Sequence, residues 1–131
     1  MEYIPQAPPF EMIDTLISAL EAESVTQFTI PENHLFVLNG FFTEPGLIEN
    51  MAQTAAAGTG HYSAQNGLEP PVGFIGAIKN FEVTALPKVG DTIKTTTTVL
   101  HQVMNATIVQ AKIHLNKTMI AEAEFKIFLE G

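Results

Sequence analysis

Between Thr43 and Gly67 the sequence TEPGLIENMAQTAAAGTGHYSAQNG reads as one long helix, and no other stretch of the chain does so convincingly. Thr43 or Glu44 can cap its start, Pro45 stands where a first-turn proline is tolerated, and Gln65-Asn66-Gly67 ends it. At 100° per residue, Leu47, Ile48, Met51, Ala52, Ala55, Thr59 and Tyr62 share one broad face, the face expected against a core. Glu49, Gln53, Ala56 and Gly60 form a second stripe beside it, polar at its start and small beyond. Two uses are open for that stripe. It lines a channel with Glu49 at its end, or Ala56, Ala57 and Gly60 let the helix nestle into a curved sheet.

Strand patterns surround the helix. Val25, Gln27 and Thr29 alternate with Thr26, Phe28 and Ile30 in a strand stopped by Pro31-Glu32-Asn33. After the helix, residues 72–84 are apolar, with Gly73 and Gly76 marking a bulge or a close backbone approach. Pro87 to Asp91 is a turn. Residues 92–101, 107–116 and 120–129 then alternate, Ala111, Ile113, Leu115, Ala121, Ala123, Phe125 and Ile127 on one face and Gln110, Lys112, His114, Glu122, Glu124 and Lys126 on the other. The expected order is a strand, a long helix and four strands in a meander. That is an α+β architecture, an antiparallel sheet wrapped around one helix, within a single domain spanning 1–131. Before it, Pro8-Pro9 fixes an extended lead-in, and the patch Phe10, Met12, Ile13 suits a single helical turn docked on the sheet.

Charge narrows the partners. Of 14 acidic residues, nine lie before residue 79, where there is no Lys or Arg; all six cations are lysines after residue 78. The net charge of -8 repels phosphate backbones, so nucleic acid is not an expected partner, and an acidic protein would have to dock on the lysine-bearing half. No apolar run approaches the ~18 residues of a membrane span, and MEYIPQAPPF lacks the charged start and apolar middle of a signal peptide, so the expected location is cytoplasmic. With no cysteine, chemistry falls to carboxylate, imidazole, hydroxyl or backbone groups.

Several segments, in order, resemble the 3-hydroxyacyl-(acyl-carrier-protein) dehydratases. Ile4-Pro5-Gln6 and Pro9-Phe10-Glu11-Met12-Ile13-Asp14 are similar to the family's Leu-Pro-His step and its Pro-Phe-x-x-x-Asp. Gly40-Phe41-Phe42 resembles the Gly-His-Phe that carries the catalytic histidine, and Leu47-Ile48-Glu49-Asn50-Met51-Ala52-Gln53 resembles Leu-Ile-Glu-Ala-Met-Ala-Gln of the central helix. Gly73 to Phe81, with Val89-Gly90-Asp91, is similar to the next strand and its Pro-Gly-Asp turn. The resemblance implies a hot-dog fold that dimerises by pairing sheets edge to edge, as a homodimer or with a related hot-dog subunit. It places an acyl tunnel at the interface and a site shared by the histidine of one subunit and the helix acid of the other. It also implies loss of water from a 3-hydroxyacyl thioester carried on the phosphopantetheine arm of an acyl carrier protein, without metal or redox cofactor.

Such a reaction takes a proton from C2, protonates the departing C3 hydroxyl and stabilises the thioester oxygen. Glu49 fits the acid, its neutral form favoured beside an apolar channel. Backbone N–H groups around Gly46 or Gly76 fit the oxygen, while Phe41 and Gln53 complete the expected substrate contacts. Phe41, however, occupies the histidine's place, and only eight positions separate it from Glu49, a shorter loop than the family's. Either His34 is recruited from seven residues upstream, or another group serves, or the C2 proton is not taken here at all; the plain reading of His34, beside a turn, is a solvated bystander. His61 lies twelve residues beyond Glu49, about 18 Å along the helix, too far to share its site within one subunit. His101 and His114 read as structural. Three functions follow: a dehydratase using Glu49, a non-catalytic acyl-binding or partner subunit of an active hot-dog enzyme, or a thioesterase using one helix carboxylate and water.

Overall fold

A computed structural model describes Ile4 and residues 11–20, 22–69 and 73–129. Its elements run β1 (Thr15–Ala19), β2 (Glu23–Thr29), β3 (Val37–Leu38), β4 (Phe41–Phe42), α1 (Glu44–Gln65), β5 (Gly73–Val83), β6 (Thr92–Val103), β7 (Ala106–Leu115) and β8 (Thr118–Leu129). Six strands form one antiparallel sheet in the order β1-β2-β6-β7-β8-β5, and β3 and β4 pair separately.

Two features depart from the expected meander. The segment before the helix gives the main sheet two strands, β1 and β2, closed by hydrogen bonds between Leu20 and Glu23. And β5 does not pair with β6: it lies at the far edge against β8, so only β6-β7-β8 is a meander. Alternation along a strand reports which side chains face inward and carries no information on which neighbour the strand takes. The paired prolines and Phe10 lie outside the described residues. Met12 and Ile13, expected in a helical turn, lie in an irregular run leading into β1, both buried.

The alternating faces are as the pattern requires. Ile93, Val109, Ala111, Ile113, Ala121, Ala123 and Phe125 are buried, while Lys94, Lys112, Glu122, Glu124 and Lys126 are partly or fully open on the other face. Phe28, Ile30, Phe42, Leu47 and Met51 complete the core. Burial of a side chain the size of Phe42 or Phe125, both 0% exposed, contributes about 1.5–3 kcal/mol. At Gly76 the β5–β8 register slips between Ile75 and Ala77, and a Cβ would lie 2.3 Å from Phe128 Cε2, so both readings of that glycine hold: a bulge and a close approach.

α1 begins and ends where the sequence indicates. Thr43 occupies the N-cap position, but its hydroxyl donates to Phe36 O at 2.7 Å, away from the helix. At the other end Leu68 N donates to Ser63 O and Gly67 N to Ala64 O, with Gly67 at φ +66°, a Schellman ending that uses glycine's freedom at positive φ.

The helix is rotated from its expected setting. Leu47 and Met51 are fully buried, yet Ile48, Ala52 and Ala55 are only partly covered, Thr59 is open and Tyr62 is 45% exposed. The buried face carries Asn50, Gln53, Thr54, Ala57 and Gly58. The reason lies opposite: the facing residues of β2 and β6 include Ser24, Thr26, Thr95 and Thr97, all buried. Amides and hydroxyls that satisfy one another bury at little cost, so a polar helix face can take the sheet. Within the second stripe, Gln53 and Gly60 are buried, Glu49 is half-buried and Ala56 is open. The stripe divides, and its small residues bear on packing: at the neighbouring Gly58 a Cβ would come within 1.7 Å of Ser24 Oγ. One helix cradled by a curved antiparallel sheet is the hot-dog arrangement.

Candidate active site

Glu49 stands on the second turn of α1, half-buried, at the border between the covered face and the open Ile48–Ala52–Ala55 face. Its Oε1 accepts a hydrogen bond from Gln53 Nε2 at 3.0 Å, one helical turn along. Gln53 is 1% exposed, and its Oε1 accepts from Met12 N at 2.6 Å. So placed, Gln53 bonds both the Glu49 carboxylate and the chain entry, and almost none of its surface is open to solvent.

Asn50 holds the carbonyl of the same residue. Its Nδ2 donates to Met12 O at 2.7 Å and its Oδ1 accepts from Thr95 Oγ1 at 2.5 Å. Its own carbonyl accepts from Thr54 Oγ1 at 2.8 Å, and Thr54 in turn meets Thr26 Oγ1 at 2.7 Å. Asn50, Thr54, Thr26 and Thr95 are all 0% exposed, so each bond stands in a low-dielectric interior where leaving a group unmade costs about 1–3 kcal/mol. Sequence reading passed over Asn50 and Thr95. The signal was available: Asn50 is the non-matching residue between Glu49 and Met51 in the helix motif.

Phe41 and Phe42 point in opposite directions. Val37 pairs with Phe42 and Leu38 with Phe41 across a two-residue Asn39-Gly40 turn, both residues at positive φ, a hairpin signal present in a stretch that read as irregular. Phe42 is fully buried, and its ring lies over Gly46, where a Cβ would be 2.5 Å from the ring edge. Phe41 is 38% exposed, bridged to Lys88, whose Nζ lies 5.9 Å from the ring centroid. The place of the motif histidine is therefore at the surface of this chain, facing outward.

His34 is not a solvated bystander. It is 9% exposed, with its ring 5.6 Å from that of Phe42 and 6.1 Å from that of Phe28, and its Nδ1 accepts from Phe36 N at 3.1 Å. The aromatic packing and the turn fix that ring. At Gly46, one of the two places expected to offer backbone donors, the N–H donates to Thr43 O at 3.0 Å. Gly76 lies exposed on edge strand β5, with the Phe128 ring where a Cβ would stand. His101 is exposed on β6, and His114 on β7 lies opposite Lys94 on the wet face. The structure thus joins Glu49 to Gln53, and holds Gly46 beside the Phe41–Phe42 hairpin through Phe42.

Among solved structures, the chain is similar to one from the dehydratase heterocomplex ApeI:P of Xenorhabdus doucetiae, with a TM-score of 0.89 at 15% identity, over 98% of this chain and 89% of that one. It is also similar to a Streptococcus mutans UA159 protein bound to acetyl CoA (TM-score 0.75, 15% identity, 98% of this chain and 97% of that one). A hypothetical thioesterase with coenzyme A from Streptococcus pneumoniae TIGR4 gives a TM-score of 0.72 at 14% identity, over 89% and 85%. At these identities the likeness establishes the fold. No curated protein matches the sequence. The model of a family described as ApeP-like, ApeP dehydratase, matches residues 1–130. With that match over nearly its whole length, on a hot-dog fold whose central helix presents Glu49, the chain belongs to the ApeP-like dehydratase family.

Proposed function

We propose that this chain is one half of a dehydratase acting on 3-hydroxyacyl thioesters carried on acyl carrier protein, supplying the acid Glu49 to a site whose base comes from a histidine-bearing hot-dog subunit. The observation that carries this reading is the pairing of a supported Glu49 with an outward-facing Phe41 where the family's histidine stands. A second copy of this chain would bring another Phe41, whereas a related subunit retaining the histidine would complete the pair.

Two surfaces favour such a partner. β5 is eleven residues long, pairs only with β8 among the described strands, and leaves Phe74, Ile75 and Ile78 at 59%, 39% and 40% exposure. A long apolar edge is a template for another strand. The face of α1 that bears Ile48, Ala52 and Ala55 is likewise incompletely covered, beside Glu49. The heterocomplex to which the similar dehydratase chain belongs supports the same assembly.

In the reaction, the partner's imidazole takes the proton from C2. The C2–H electron pair becomes the C2–C3 double bond, the C3–O bond breaks, and the leaving oxygen takes a proton from the Glu49 carboxyl and departs as water. The products are a trans-2-enoyl thioester and water, and proton transfer from imidazolium to carboxylate through solvent resets the pair.

The test is turnover of a 3-hydroxyacyl pantetheine thioester by the assembly co-purified from its native host, followed by enoyl absorbance, with free thiol measured in parallel. Glu49→Gln in this chain alone should lower dehydration by about 10²–10⁴-fold. Turnover unaffected by that change, or thiol release in place of enoyl product, would overturn the proposal.

A further inference from the structure

Asn50 departs from the helix motif that the chain resembles, and both its amide atoms are engaged beneath the helix. Three groups converge on it: Met12 O, Thr95 Oγ1 and, through its main chain, Thr54 Oγ1. On the next turn Gln53 takes Met12 N. One residue of the chain entry, Met12, is therefore held at both its main-chain N–H and its carbonyl by two amides three residues apart on the same helix face.

That arrangement fixes orientation as well as contact. A backbone N–H can only donate and a carbonyl can only accept. Met12 N must therefore face the oxygen of Gln53, which turns Gln53 Nε2 toward the Glu49 carboxylate. Met12 O must face the nitrogen of Asn50, which turns Asn50 Oδ1 toward Thr95. The chain Thr95–Asn50–Met12–Gln53–Glu49 has one consistent assignment of donors and acceptors, and it ends on the acid.

We propose that Asn50 and Thr95 are positioning residues for Glu49, acting through Met12 and Gln53 to hold the carboxyl in one orientation; this rests on the reading of Glu49 as the acid. Neither residue is open to solvent, and Thr95 stands on β6 in a different layer from the acid, so neither touches substrate. Where an alanine at position 50 would leave the entry segment tied to the helix through Gln53 alone, Asn50 adds a second bond to it and links both to strand β6.

The experiment compares Thr95→Val, which keeps shape and removes the donor, with Thr95→Ser, which keeps the donor, and adds Asn50→Ala. In the co-purified assembly Thr95→Val and Asn50→Ala should each lower kcat about tenfold with KM little changed, as a slight misplacement of a reacting group does, and Thr95→Ser should restore wild-type kcat. Independently of turnover, the side-chain amide resonances of ¹⁵N-labelled Gln53 should shift in Thr95→Val and return in Thr95→Ser. Gln53 resonances unmoved in a folded Thr95→Val protein would overturn the inference whatever the activity. Shifted resonances in an assembly with no dehydratase turnover would leave the relay standing and overturn the reading of Glu49 as a dehydratase acid. If Asn50→Ala does not fold, the Thr95 pair decides alone.

Discussion

Replacing Gly58 by alanine should destabilise this protein, although the same change in an open helix stabilises it. In an unconstrained helix interior, Gly→Ala gains about 1 kcal/mol. Here the new methyl would meet Ser24 Oγ at 1.7 Å and Ser24 Cβ at 2.8 Å. The hydroxyl can rotate away, but the Cβ is fixed to strand β2. Relief to an ordinary carbon contact of about 3.5 Å requires the helix and strand to part by roughly 0.7 Å. In a close-packed interior such overpacking costs about 1–3 kcal/mol, and the helix gain offsets part of it. We expect a net loss of up to about 2 kcal/mol, read by urea unfolding at fixed protein concentration with the helical signal of circular dichroism. The diagnostic is a double-mutant cycle. With Ser24→Gly already in place both contacts are gone, and Gly58→Ala should become stabilising by up to about 1 kcal/mol. If Gly58→Ala stabilises the unmodified protein, or if its effect does not change sign in the Ser24→Gly background, the helix does not rest on β2 at this point. The rotation that buries Asn50 and Gln53 would then be wrong as well.

Other perturbations probe separate links. Met104, 99% exposed at the β6–β7 turn with φ 57°, holds a left-handed conformation that a side chain adopts at a cost; Met104→Asn should raise stability by about 0.5–1 kcal/mol in the same unfolding assay and leave activity unchanged. A charge placed on the β5 edge, Ile78→Lys, should abolish assembly with the partner subunit in size-exclusion chromatography while preserving the far-ultraviolet spectrum, and an intact complex would refute β5 as the contact edge. Gly76→Ala should cost about 1 kcal/mol, since Phe128 lies 2.3 Å from the added Cβ but is only partly buried and can swing aside; an unchanged melting curve would contradict the close approach.

Much of the framework was legible because it rests on periodicity. The 3.6-residue pattern and the Gly67 stop located α1, and the alternation from Ile93 to Ile127 assigned inner and outer faces correctly. What escaped depends on contacts between distant segments. The pairing of β5 with β8 is decided by the far side of the sheet, and no local pattern in residues 73–83 encodes it. The helix rotation was misjudged for a similar reason: hydrophobicity favoured the face of Ile48, Ala52 and Tyr62, while the hydroxyls of Ser24, Thr26, Thr95 and Thr97 made the amide-bearing face the better fit. The same cause hid the support around Glu49. The motif pointed to Glu49, but the bonds among Asn50, Gln53 and Met12 appear only once three segments meet.

Whether Glu49 provides half of a site completed across the β5 edge is decided by an experimental structure of the assembly as purified from its host, with a 3-hydroxyacyl pantetheine analogue bound. The expected result is an imidazole of the other subunit facing Glu49 from the opposite side of the analogue's C2–C3 bond, with Phe41 turned away from it. An analogue bound with no imidazole at C2, or lying out of reach of Glu49 altogether, would contradict it.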